Sequence, residues 1–373
     1  MTPADEPDCA EDLAAVLRSL IDDARFAELG EALRSVEQLS GSQRRRALAL
    51  CRAGARLVQL DAVGFDEVDG VPADLAAQVR AMRFPDTYDD PDRGSLASLV
   101  PLYGLMLEVL ETHWSRQETA FVVLVLHLMA EYLPVLAWES VLGHAADPPR
   151  LRDHVIGTMW GTEDCPMPRH RRSAAERVLA MRPGEDSGPV PPEQWRAYLD
   201  RWHARVAAGL RQCALRPGRG RPDPGDAGCD RSCGVVTVLP GEVLENLADR
   251  MTLAAAFASS PVVALRHSAP VGHFFGVPGP DDVQAAWAET LERIGRPWED
   301  GAGEDRNLVL ADVADVADVA DGADVDGGER RPEALPGLAG VLTVVAGQPI
   351  RPTTVLDRLR REVAVVLGDV LVG

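Results

Sequence analysis

Residues 121–138 read FVVLVLHLMAEYLPVLAW, an apolar run in which His127 and Glu131 are the only strongly polar side chains. A run of this length has two uses. It spans a bilayer, which takes about 20 apolar residues, or it forms the buried axis of a helical domain. Glu131 argues against the first, because a carboxylate near the bilayer centre costs about 3 kcal/mol, and the flanking segments are acidic and polar. The expectation is a core helix and no membrane. Ser115-Arg-Gln-Glu118 has the S-x-x-E form of a capping box, so the spacing predicts a helix over 116–142. Pro134 should kink it, since proline lacks an N–H and crowds the preceding turn. Residues 95–114 read as its antiparallel partner, turning near Ser115.

His127 and Glu131 are spaced i, i+4 and share a helix face. Counting outward from the turn sets His127 level with Tyr103. Two readings follow. One is a buried Tyr103–His127–Glu131 hydrogen-bond network, because a buried carboxylate must be paired or protonated. The other is an acid–base or metal site built on these residues, with His113 or His144 nearby. A divalent metal would need further ligands, since two do not hold it, and no H-E-x-x-H motif supplies them.

Helical spacing recurs over 12–21, 24–39, 43–60, 73–82, 151–160, 173–181 and 191–213, which predicts an all-α domain over 1–215. Residues 83–94 (RFPDTYDDPDRG) carry four aspartates in a segment interrupted by Pro85 and Pro91, and read as a solvated loop rather than a Mg²⁺ site. Residues 216–234 are dense in Pro, Gly and Arg and read as a linker. Beyond them, strand-like runs at 234–239, 261–266, 271–277 and 340–346 alternate with helices at 242–258, 281–294 and 353–367. That order predicts a smaller α+β domain over 235–373, of ferredoxin-like, split βαβ form. The tandem Ala-Asp-Val tract within 299–332 offers no packed face and reads as a disordered acidic insert.

Composition narrows the function. Net charge is −20, and all 38 basic residues are arginine. Without lysine there is no PLP Schiff base, no Walker A loop and no protein-kinase strand lysine. Acidity argues against general binding to nucleic acid. One stretch differs: residues 150–221 hold fourteen arginines against eight acids, net +6. Interleaved Trp195, Tyr198 and Trp202 give it the form of a single-strand nucleic-acid surface, with Arg169, Arg171, Arg172, Arg196, Arg201 and Arg205 as the RNA or anionic-ligand contacts. The competing reading puts the aromatics in the core. Cys213, Cys229 and Cys233 form an incomplete zinc pattern and read as free thiols. His267 and His273 flank an expected hairpin turn.

The expectation is therefore a cytoplasmic binding or accessory protein, partnered by a protein or a small anionic molecule, with no cofactor named by the residues. An enzyme centred on His127, Glu131 and Tyr103 is the alternative, and RNA binding the second.

Overall fold

The computed structural model describes residues 9–61, 70–155, 192–215, 239–267, 276–295 and 333–372. The described residues are predominantly helical. In chain order the helices are α1 (Cys9–Asp22), α2 (Phe26–Arg34), α3 (Gly41–Val58), α4 (Ala73–Met82), α5 (Val100–Ser115), α6 (Thr119–Leu142) and α7 (Pro148–Val155). They continue as α8 (Pro192–Leu215), α9 (Gly241–Ala258), α10 (Pro261–Ala264), α11 (Pro280–Gly295), α12 (Leu338–Ala346) and α13 (Val355–Val372).

Helix α6 is the axis. It packs against α5, α8, α9 and α12, with α10 on a further side. Among the described residues it is the one helix long and apolar enough to cross a bilayer. Here its apolar length serves as core: Leu126, Met129, Leu133, Leu136 and Trp138 are fully buried, and the Trp138 indole donates to the Leu210 carbonyl of α8 at 3.0 Å. The chain continues helically through Pro134.

The start of α6 differs from the expected capping box. Ser115 ends α5 instead, and its hydroxyl donates back to the Thr112 carbonyl. Gln117 adopts a left-handed φ of 59°, and the Glu118 N–H returns to the His113 carbonyl at 2.9 Å, a Schellman-type helix end. Glu118 is unavailable as a cap because its carboxylate faces His113 Nδ1 at 2.7 Å. A capping box does form at Ser40–Gln43, opening α3.

Two of the expected strands are helical. Pro261–Ala264 is a turn of α-helix continued by a 3-10 turn over Leu265–His267, and residues 338–346 form α12. Pro261 at the first helical position favours a helix start. Gly337 and Gly347, both with positive φ, bracket α12, and a left-handed glycine is a helix stop. The ferredoxin-like arrangement needs both strands and is not formed. The runs at 234–238 and 271–275, the acidic tract and the second S-x-x-E at Ser173 lie outside the described residues. So does the whole of the expected linker, 216–234; helices on its two sides pack together, α9 and α12 on α6, and α13 on α1 and α3.

Buried charges tie these helices end to face. Glu108 of α5 accepts from the backbone N–H groups of Val355, Leu356 and Asp357 at 2.9–3.1 Å and from the Thr353 hydroxyl at 2.5 Å. It thereby satisfies the free donors at the start of α13. One turn earlier, Gly104 lets the approaching strap lie against α5: a Cβ there would stand 2.7 Å from the Arg351 carbonyl. Glu139 of α6 serves α5 in the same way, accepting from Leu99 N–H at 2.8 Å and the Ser98 hydroxyl. Arg250 of α9 does the opposite job, donating to the Val345 and Ala346 carbonyls at the end of α12.

Candidate functional site

His127 lies on the outer side of α6, partly exposed, and Glu131 is more open still, with side-chain exposures of 20% and 55%. The buried network expected with Tyr103 is not formed. The Tyr103 hydroxyl is fully buried and donates instead to the Met129 carbonyl at 2.6 Å. The level across the hairpin is nearly as counted, but the rotation of α6 turns His127 away from α5.

What His127 meets is the segment after α10. Its Nε2 is 3.1 Å from Glu131 Oε1. The Arg266 Nη1 stands 3.0 Å from Nδ1 and 2.7 Å from Nε2. Arg266 Nη1 donates to the edge of the imidazole ring, closer to Nε2 than to Nδ1, and the Glu131 carboxylate stands beside the same Nε2. Burial, and then the Arg266 cation, hold His127 below its ordinary pKa, with Glu131 opposing them. His267 follows, its Nε2 3.4 Å from Arg266 Nε. Among the described residues no carboxylate forms an ion pair with Arg266. A guanidinium and two imidazoles thus converge on the surface of a chain of net charge −20, with one carboxylate beside them. Arg266 carries no local sequence signal; only the fold brings it 139 residues back to His127.

The other proposed centres lie elsewhere. His113 sits between α3 and α6, its Nε2 3.0 Å from the Val58 carbonyl and its ring stacked on Phe121. Nδ1 of His144 accepts from the Asp147 N–H. Among the described residues no group of three or more His, Cys, Asp or Glu is placed to hold a metal.

On α8, Trp195 is fully buried and Tyr198 nearly so. The Trp195 indole donates to the Pro85 carbonyl at 2.6 Å, and its ring stacks on Tyr198 and meets Tyr88 edge-on. These rings are therefore closed to nucleic-acid bases. His203 is buried against Phe84 and Tyr132, and burial pushes it down to about 4. Arg196 is exposed and pairs with Asp86 at 3.6 Å. Arg201 and Arg205 lie on α8; Arg169, Arg171 and Arg172 lie outside the described residues. Within the 83–94 segment Asp90 and Asp92 bind their own loop, and Asp86 is shared between Arg83 and Arg196. Asp90 takes Arg83 and the Asp86 N–H, and Asp92 takes the Gly94 N–H.

No family model matches the chain, and neither a curated protein nor a solved structure matches it.

Proposed function

We propose that this is a cytoplasmic binding or accessory protein that recognises an anionic group, a phosphate or carboxylate of a small molecule or a partner, at Arg266, His127 and His267. The observation that carries the reading is the Arg266 guanidinium, which donates to imidazole nitrogens while no described carboxylate neutralises it. An arriving anion gains charge-assisted hydrogen bonds from the guanidinium, and its negative charge favours the protonated form of the His127 ring beside it. Glu131 orients His127 and sets a preference for ligands that present a donor beside the anion. A buried free thiol, Cys51, suits a reducing compartment.

The test is a titration of the full chain with inorganic phosphate, followed by the His127 and His267 ring resonances. Phosphate should move both, and Arg266→Ala should abolish the response while the helical circular dichroism stays unchanged. Rings that ignore millimolar phosphate sink the proposal. A His127–Glu131 pair is also the frame of a general base. If His127→Ala removed a catalytic activity while leaving phosphate binding intact, the enzyme alternative would take precedence.

A further inference from the structure

A second cationic group lies in a different place and a different environment. Arg250 of α9 is 7% exposed. Its Nε donates to the Val345 carbonyl, its Nη2 to the carbonyls of Ala137 and Ala346, and its Nη1 to the Ser140 hydroxyl. All four acceptors are neutral. A guanidinium has five N–H donors, so one Nη1 donor remains without a partner among the described residues. No described carboxylate pairs with the charge either, and burial pulls Arg250 down to about 10. The position is held tightly: a Cβ on Gly347 would stand 2.8 Å from the guanidinium carbon. An unneutralised cation this far from water is expensive unless something else meets it.

Arg250 and Ser140 close one end of a cleft of about 470 Å³ between the end of α6 and the first half of α9. Its lining is mixed: Val141 on one side and Leu239, Pro240 and Val243 on the other supply apolar surface beside the polar Ser140, Asn246, Glu242 and Arg250. Asn246 lies partway along, and Glu242 stands exposed at the far mouth. Eight residues of helix separate Glu242 from Arg250, about 12 Å at 1.5 Å per residue. The volume is in the range of small-molecule sites.

We propose that this cleft binds a small monocarboxylate with an apolar body, its carboxylate on Arg250 Nη1 and the Ser140 hydroxyl, and its chain along Val141, Leu239 and Val243. The carboxylate supplies the counter-charge that the fold omits. The apolar part of the lining takes the chain, and Glu242 disfavours a second negative charge at the far end.

The test is calorimetry of the full-length protein with three probes of one chain length: hexanoate, 1-hexanol and hexylammonium. Hexanoate should bind about tenfold or more tighter than either of the others, as a charge-assisted contact requires. Because Arg250 also ties α6, α9 and α12 together, Arg250→Met is expected to loosen the fold, so Val243→Trp carries the test. It fills the cleft from a half-exposed position, and should weaken hexanoate about tenfold or more with circular dichroism and urea midpoint unchanged. Arg266→Ala should leave hexanoate binding as it is, which keeps this site separate from the one on α6. The proposal is overturned if hexanoate gives no binding, if 1-hexanol binds equally well, if Val243→Trp binds like the parent, or if Arg266→Ala abolishes binding.

Discussion

Replacing Glu108 should release the last helix. Its carboxylate is 6% exposed and meets four donors: Thr353 and Val355 on Oε2, Leu356 and Asp357 on Oε1. Glu108→Ala leaves three backbone N–H groups at a buried helix start without acceptors. At about 1 kcal/mol for each unmet donor, the loss is about 3 kcal/mol. Glu108→Gln keeps one oxygen but turns an NH₂ toward two donors, so it should cost about 1–2 kcal/mol. Urea melts give the magnitudes, and hydrogen exchange at 355–357 gives the location. Alanine within about 0.5 kcal/mol of the parent would refute the reasoning, because water would then be capping α13.

The pH dependence has a definite sign. Burial raises Glu108 from 4.5 to about 7, against the opposing Thr353 hydroxyl and the backbone donors. The folded state therefore holds a proton that the unfolded chain releases between these values. The stability this contributes is complete below about 4.5 and is lost as pH rises through about 7, some ~3 kcal/mol in all. Glu108→Gln lacks that titration. The advantage of the parent over the variant should shrink between pH 4.5 and 8, and a constant difference would refute the assigned shift.

Three further predictions follow from packing and charge. Gly54→Ala would gain about 1 kcal/mol of helix propensity on an exposed face, but here the new Cβ stands 2.4 Å from the buried Phe26 ring. Overpacking of about 1–3 kcal/mol should win, so the thermal midpoint should fall; a rise would show that Phe26 moves freely. Arg93→Ala strips the partner from Asp147, which is 2% exposed and paired with Arg93 at 2.7 Å. The expected loss is about 3 kcal/mol by urea unfolding, and a neutral result would mean that Asp147 protonates or hydrates without penalty. Burial pushes the Cys51 thiol up to about 12, so a thiol reagent followed by peptide mapping should leave Cys51 unlabelled until the protein unfolds. Rapid labelling of the native protein would contradict its burial.

Much of the helical layout is legible in the sequence because apolar residues recur at helical spacing. Residues 73–82 were expected and are observed as α4, and α9 and α11 fall within a residue of their expected ends. The failures have physical causes. PVVALR and GVLTVVA are short, β-branched apolar runs, for which periodicity does not separate strand from buried helix. The decisive signals were a proline at a helix start and glycines at 337 and 347. Ser115–Glu118 has capping-box spelling, but Glu118 is drawn to His113 and the motif closes a helix instead of opening one.

The sequence by itself determined that Phe121–Trp138 is the axis, since so apolar a stretch must be surrounded, and that chemistry needing a lysine is absent. It did not determine which way that axis faces. A helix apolar on every side has no preferred face, so the position of His127 depends on what packs around α6. Tertiary structure made that choice, setting His127 beside Arg266 and Tyr103 beside the Met129 carbonyl. It also decided that Glu108, Glu139 and Arg250 sit in the interior, because the ends of neighbouring helices present backbone donors or acceptors there that need a partner.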